Sequence, residues 1–258
     1  MGNMEALYNT WKAIGTSGGD LSFFQDFFVK FYQAFIEADR WLQYLNGVKT
    51  TLLVTALALI LGVALGVTVA ILRTAHDQQR PGHRNPVLAV LNLVCKIYVT
   101  VIRGTPMMVQ LLIMGLVIFA SNRNKTMIGA LSLGINSGAY VAEIIRGGLM
   151  SLDPGQMEAG RSLGLGYLDT MRFIVIPQAF KAILPSLGNE FITLLKDTSL
   201  ISVVGGKEIV YFAQAIITRT YETMYPYLIT AVMYLILVLI FTWLQGKLER
   251  RLRQSDRR

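Results

Sequence analysis

The sequence has little charge, one cysteine and two histidines. Charged residues make up 16% of its 258 positions, whereas ordinary soluble domains contain about 25%, and 53% of the residues are hydrophobic. This composition argues against a disordered chain, a DNA-binding domain and a disulfide-stapled secreted fold. Cys95 has no partner for an intrachain disulfide, and its apolar neighbours predict a buried thiol. His76 and His83 lie in a polar segment without cysteines or clustered acids, so no metal site is predicted.

Long apolar runs with little or no charge stand out instead. A helix needs about 20 apolar residues to cross a bilayer, and the mean hydropathy of +0.48 is typical of a membrane protein. The runs are residues 50–72, 86–120, 126–142, 186–204 and 223–246. Three of the five are uncharged, whereas 86–120 contains Lys96 and Arg103, and 186–204 contains Glu190, Lys196 and Asp197. The second run is expected to bend at Thr105 and Pro106, because proline disturbs the interior of a helix. The predicted fold class is therefore an all-α integral membrane protein with five transmembrane helices.

The formal net charge of +8 is concentrated in a few polar segments. With five spans, residues 73–85, 146–185 and 247–258 fall on one side of the membrane and carry most of the basic excess. Because Lys and Arg accumulate in cytoplasmic loops, we predict that the N-terminus is outside and the C-terminus is cytoplasmic. The basic cytoplasmic tail 249–258 is then a stop-transfer anchor, and no nucleic-acid partner is expected.

Residues 1–46 precede the first run and are predicted to form an interfacial amphipathic region. They contain neither the short apolar core nor the cleavage site of a signal peptide. Aromatic residues recur there at helical spacing opposite polar ones, and packing of that helix against another protein chain remains an open alternative. The aromatic residues are Phe24, Phe27, Phe28, Phe31, Tyr32 and Phe35. A transmembrane domain is predicted over residues 47–248.

A polar segment at about 151–181 separates two of the predicted spans. Asp153 and Pro154 are typical of a helix start, as a capping side chain and a first-turn proline. Gly164 permits a turn after that short helix. On these residues alone, the segment is either an interfacial connector or a docking element for a cytoplasmic partner.

The same segment resembles the EAA loop of bacterial ABC-importer permeases. That motif consists of Glu-Ala-Ala, three residues, Gly, nine residues and Ile-x-Leu-Pro. Its counterparts here, at the same spacing, are Glu158, Ala159, Gly160, Gly164, Ile174, Ile176 and Pro177. Gly160 replaces the third alanine and Ile176 replaces the leucine, and both changes leave the spacing intact.

Further stretches resemble the polar amino acid uptake branch of these permeases, which imports histidine, glutamine, arginine or glutamate. They are residues 103–106, 137–143, 177–180, 187–191 and 194–200. The resemblance covers about residues 49–246 and implies a type I ABC importer permease fold in the bacterial plasma membrane. The partners it implies are a cytoplasmic ABC ATPase dimer, a second permease subunit (self or paralogue), an extracellular or periplasmic amino-acid-binding protein and membrane lipid.

The resemblance also implies how such a complex works. Each EAA helix would sit in a groove of one ATPase subunit, and ATP-driven closure would switch the pore between inward-facing and outward-facing states. The implied ATPase-coupling residues are Glu158, Ala159, Gly160, Gly164 and Pro177. The chain has no phosphate-binding loop, so we expect no enzyme activity and no cofactor on it, with ATP and magnesium on the partner ATPase.

Ionisable residues at membrane depth are costly and seldom face lipid. Glu190 and Asp197 are seven residues apart and fall on one helix face, where a carboxylate could hold the ammonium group of an amino acid. The predicted substrate path is Glu190, Asp197, Asn136, Ser137 and Thr105. Structural roles remain open, because Asp197 could instead pair with Lys196 or Arg103, and small polar side chains often join helices.

The spacing of three residues between Glu143 and Arg146 predicts a structural ion pair on a helix. The leading hypothesis for the whole chain is the permease of an ATP-driven importer of a polar amino acid. A permease of the same fold for another small solute is the first alternative. A membrane scaffold or receptor does not account for the intramembrane charges, and a membrane enzyme would need a set of catalytic or metal-binding side chains that the sequence lacks.

Overall fold

The computed structural model describes residues 2–79 and 85–255, and their regular structure is helical. This described part of the chain contains eleven α-helices, α1 to α11. They span Gly2–Thr16, Phe23–Phe35, Arg40–Asp77, Pro86–Gly104, Met107–Leu112, Lys125–Met150, Gly155–Ser162, Tyr167–Thr170, Ile176–Asp197, Ile209–Thr220 and Met224–Ser255. Shorter 3₁₀ segments cover Glu37–Asp39 and Thr198–Val204, and π-helical segments cover Ile113–Ile118 and Met171–Val175. His83 and the end of the predicted tail lie outside the described residues.

Four of these helices are long and apolar enough to cross a membrane, namely α3, α4, α6 and α11. A fifth span arises when the helical stretch Tyr167–Val204 and α10 are counted as one broken span. The predicted run 186–204 lies within that stretch. The prediction of an all-α membrane protein with about five spans is therefore confirmed.

The expected bend within residues 86–120 is a complete interruption of the helix. α4 ends at Gly104, Thr105 has an extended backbone with φ of −118° and ψ of 146°, and α5 begins at Met107. Pro106 explains the interruption, because proline disfavours a helical conformation of the residue before it and has no amide hydrogen. The predicted single bent span is thus two helices, of which α4 alone is long enough to cross a membrane.

The described residues divide into two compact units. One consists of residues 2–51 and 207–237, and we call it the first unit. The second unit consists of residues 52–206 and 238–255. The predicted domain boundary between residues 46 and 47 falls inside α3 and stays a prediction.

The first unit has two apolar clusters. In one, Tyr8 of α1 stacks on Tyr32 of α2, with 4.4 Å between the ring centroids. In the other, Tyr44 of α3 packs beside Ile209 of α10, and both side chains are fully buried. Phe24 of α2 is by contrast 81% exposed. α2 therefore has one buried and one exposed face, while its placement in a membrane interface stays a prediction.

Glu208 caps α10 from the interior of the first unit. Its carboxylate is fully buried and accepts hydrogen bonds from the backbone amides of Val210 and Tyr211, both at 2.8 Å. The hydroxyl of Tyr234 on α11 donates a third bond at 2.7 Å. Three donors offset the cost of burying this carboxylate and fix the start of α10.

The second unit is built around α6, the most buried of the candidate spans. Glycines of α3 allow close approach of the two helices. A Cβ atom at Gly62 would lie 2.7 Å from Ser137 Oγ, and one at Gly66 would lie 2.5 Å from Val141 Cγ1. Small residues of this kind are typical of helix contacts in membranes. Cys95 of α4 is also buried in this unit, so the predicted buried thiol is confirmed.

Candidate functional site

The predicted short helix of the EAA segment is α7, and each of its ends is defined by its own interaction. At the start, the Asp153 carboxylate accepts a hydrogen bond from the Gly155 amide at 2.8 Å. At the end, Gly164 has a φ of +82°, and the Leu165 amide donates to the Gly160 carbonyl at 3.1 Å. This is a Schellman motif, in which glycine is favoured at the left-handed position. Gly164 therefore ends α7 and makes the predicted turn.

The two faces of α7 differ. Glu158 and Ala159 are exposed, whereas Gly160 is buried. A Cβ atom at Gly160 would lie 2.5 Å from Cγ2 and 2.7 Å from Oγ1 of Thr170, a fully buried residue of α8. The departure from the third alanine of the EAA motif thus has a physical reason, because Thr170 occupies the space that an alanine methyl group would need.

Pro177 is the second residue of α9 and follows the π-helical segment Met171–Val175 directly, so the change in helix type comes just before a residue that has no amide hydrogen. The neighbouring Gln178 donates through Nε2 to Oε1 of Gln156 on α7 at 3.0 Å. The structure therefore connects α7 to the beginning of α9. Binding of an ATPase to the exposed face of α7 stays a prediction.

Two of the predicted path residues are in direct contact. The Ser137 hydroxyl on α6 donates to Oε1 of Glu190 on α9 at 2.7 Å, and Ser137 is fully buried. A hydrogen bond to a carboxylate is stronger than one between neutral groups. A carboxylate also accepts more than one bond, so Glu190 retains acceptor capacity for a ligand.

Thr105 and Asn136 are joined through a residue that the sequence analysis missed. Gln110 of α5 donates through Nε2 to Thr105 Oγ1 at 2.8 Å, and its Oε1 accepts from Asn136 Nδ2 at 3.0 Å. Gln110 carries no charge, so the charge pattern of residues 86–120 does not reveal it. A single amide side chain within an apolar run is the signal that could have identified it.

Asp197 stands apart from these contacts. It is the last residue of α9 and partly buried, and among the described residues its carboxylate forms no ion pair or hydrogen bond. Lys196 does not pair with it. Arg103, the other partner considered, lies with its Nη1 3.9 Å from Oε2 of Glu143. Glu190 and Asp197 both belong to α9, as predicted, but no direct contact links the two side chains.

Glu143 is the centre of an ion-pair cluster in the second unit. Its carboxylate contacts Arg73 of α3, and Arg146 Nη2 lies 3.5 Å from its Oε2. The predicted pair of Glu143 and Arg146 is therefore confirmed. The cluster connects the ends of three helices, because Arg103 belongs to α4.

Comparison with known proteins identifies the family. Residues 87–254 match the family described as binding-protein-dependent transport system inner membrane component. The glutamine transport system permease protein of Escherichia coli strain K12 is 34% identical over 213 residues, which cover 81% of this chain and 92% of that protein. The crystal structure of an amino acid ABC transporter with histidines matches at 41% identity and a TM-score of 0.73, covering 81% of this chain and 94% of that chain.

A methionine ABC transporter in inward-facing conformations has the same fold, with 19% identity and a TM-score of 0.69 over 84% of this chain and 99% of that one. These findings confirm the type I ABC importer permease fold, the resemblance to amino acid permeases and the inner-membrane location. Members of the family are transport subunits rather than enzymes. This chain belongs to the family of inner membrane components of binding-protein-dependent transport systems.

Proposed function

We propose that this chain is the permease of an ATP-driven importer of a polar amino acid, and that α7 couples it to an ABC ATPase on separate chains. The observation that carries the proposal is the geometry of α7. Its two ends are held by hydrogen bonds, and it presents Glu158 and Ala159 to the exterior. A short exposed helix of this kind in a transport permease favours a docking role.

The proposed orientation has the N-terminus outside and the C-terminus in the cytoplasm. It rests on the excess of Lys and Arg in residues 73–85, 146–185 and 247–258. α7 then lies on the cytoplasmic side, where an ATPase dimer that binds ATP and magnesium would be. An extracellular or periplasmic binding protein would deliver the amino acid from the other side, and a second permease subunit would complete the pore.

Coupling is proposed to run from α7 to α9. The close contact of Gly160 with Thr170 and the bond between Gln156 and Gln178 would transmit a displacement of α7 to the start of α9. α9 carries Glu190, which is bonded to Ser137 of α6. Movement of α9 against α6 would then open the predicted substrate path alternately to each side of the membrane, as alternating access requires.

The predicted substrate path is proposed to recognise the amino acid through a carboxylate and through a set of neutral polar side chains. Glu190 supplies a carboxylate for the ammonium group of an amino acid, and the bonded set of Thr105, Gln110 and Asn136 supplies neutral donors and acceptors. Asp197 is proposed as a further carboxylate on the same helix. Glutamine is the first amino acid to test, because the relative from Escherichia coli is named for its transport.

The proposal is tested by reversing a charge on α7. Glu158→Lys is expected to abolish ATP-driven uptake in proteoliposomes and to prevent co-purification of the ATPase, because it places a cation on the proposed contact face. Binding of a panel of polar amino acids to the partner binding protein first selects the labelled substrate.

Asp169→Lys is the matched control, since Asp169 is an exposed acid in the adjoining α8. It is expected to retain most of the uptake. Full uptake and normal ATPase binding by Glu158→Lys would contradict the docking role of α7, and equal loss in both variants would attribute the effect to charge in the segment as a whole.

A further inference from the structure

A cavity of about 360 Å³ lies in the second unit between α3, α4 and α6. Four of its lining residues are cationic, namely Arg73, Lys96, Arg103 and Arg146. Among the described residues that line it, Glu143 is the one carboxylate. The lining therefore carries three positive charges that the described residues do not balance there.

The cavity lining also has more hydrogen-bond donors than acceptors. Glu143 alone serves three guanidinium groups, each of which has five N–H donors. The Nε atoms of Arg73 and Arg146 are buried without a hydrogen-bond partner in the described part of the chain. Lys96 forms no ion pair with any described residue. The cavity thus offers more donors than its own residues can satisfy, and the complementary ligand is an anion with several oxygen acceptors.

The position of the cavity indicates where such an anion comes from. Lys96, Thr100 and Arg103 lie on one face of α4, because they are four and three residues apart. Arg73 directly follows the uncharged run 50–72, so the cavity lies at one end of the apolar part of α3. Unbalanced charge close to hydrocarbon is costly, and basic pockets between membrane helices are typical sites for anionic lipid headgroups.

The surface beside the cavity is apolar. α4 exposes large aliphatic side chains along its length: Val90, Leu93, Val94, Ile97 and Val101 are each more than half exposed. These side chains suit contact with an acyl chain, whereas a free phosphate ion would gain nothing from them. The combination of basic cavity and adjoining apolar surface favours a lipid over a soluble anion.

We propose that this cavity binds the phosphate group of an anionic phospholipid. Lys96 and Arg103 are the most accessible cations: Lys96 is exposed and the Arg103 side chain is 43% exposed, against 35% for Arg146 and 12% for Arg73. Glu143 holds the guanidinium groups of Arg73 and Arg146 in place beneath them. The proposal concerns a lipid site on the permease and does not depend on which amino acid is transported.

The experiment measures lipid binding to the purified full chain by native mass spectrometry. Phosphatidylglycerol is compared with phosphatidylcholine of the same acyl chains, and inorganic phosphate is added as a competitor. We expect the chain to retain phosphatidylglycerol selectively. The double variant Lys96→Gln with Arg103→Gln is expected to bind it roughly twenty-fivefold more weakly, at about fivefold for each cation removed.

Two further variants keep the result interpretable. Thr100→Asp places a carboxylate in the cavity and is expected to displace the lipid without removing any arginine. Arg172→Gln removes an exposed cation outside the cavity and is expected to leave lipid binding unchanged.

Equal retention of the two lipids, or a loss in Arg172→Gln as large as that in the double variant, would overturn the proposal. Displacement of phosphatidylglycerol by millimolar inorganic phosphate would also overturn it, because the site would then recognise a free anion.

Discussion

The contact between Gly160 and Thr170 leads to a prediction that runs against the family motif. Gly160→Ala restores the alanine of the EAA pattern, yet the new methyl group would lie 2.5 Å from Thr170 Cγ2 and 2.7 Å from its Oγ1. Overpacking of a buried position destabilises the fold by about 1–3 kcal/mol, whereas replacement of a helical glycine by alanine stabilises the helix by about 1 kcal/mol. We therefore expect a net destabilisation of up to about 2 kcal/mol, together with displacement of α7.

A second substitution should reverse the effect. Thr170→Ala deletes Cγ2 and Oγ1, after which the nearest atom to the alanine at position 160 is the Cβ at 3.1 Å. The double variant should recover most of the lost stability, so the two substitutions should show a coupling energy of about 1–2 kcal/mol. Gly147→Ala is the control, because nothing lies within 4 Å of a Cβ there and its φ is not positive.

The assay has a global and a local part. The thermal midpoint of the purified chain reports stability, and the rate of tryptic cleavage after Arg161, an exposed residue of α7, reports local opening. Gly160→Ala should lower the midpoint and accelerate cleavage, while Gly147→Ala should do neither. An unchanged midpoint and cleavage rate in Gly160→Ala, or failure of Thr170→Ala to rescue it, would refute the reasoning.

Three further predictions follow from individual contacts. Gly164→Asp should impair uptake more than Gly164→Asn, because asparagine tolerates the φ of +82° better, and transport assays of both variants check this order. Ser137→Ala should weaken the apparent affinity for substrate in uptake kinetics, since Glu190 loses a hydrogen bond worth about 1.5–3 kcal/mol; an unchanged KM would remove this pair from the path. Tyr234→Phe should lower the thermal midpoint without altering KM, because it removes one of three donors to the buried Glu208.

Much of the fold follows from hydrophobic runs, because a bilayer demands long apolar helices. The predicted runs 50–72, 126–142 and 186–204 fall within helical stretches, 223–246 begins one residue before α11, and 86–120 is interrupted at Thr105 and Pro106. Cys95 is buried and Glu143 pairs with Arg146 because local apolar context and helical spacing determine both features. The sequence predicts only a bend at Thr105 and Pro106, because a proline in an apolar run can either kink or end a helix, and the structure shows that the helix ends there.

Other features required the three-dimensional structure because they join distant parts of the sequence. Gln110 carries no charge and became visible only through its bonds to Thr105 and Asn136. The reason for glycine at position 160 lies in Thr170, on the following helix. The carboxylate of Glu208 caps α10 and accepts a hydrogen bond from Tyr234, 26 residues away. Patterns along the chain do not report such pairings.

Site-directed cross-linking tests the coupling role of α7 most directly. The single native cysteine is buried, so a cysteine introduced at an exposed position can be labelled selectively with a photoactivatable maleimide. The account predicts that Glu158→Cys, assembled with its partner ATPase, forms a covalent product of one permease and one ATPase chain. Ser121→Cys, exposed and on the side assigned to the exterior, should form none. A product from Ser121→Cys and none from Glu158→Cys would contradict both the orientation and the proposed coupling surface.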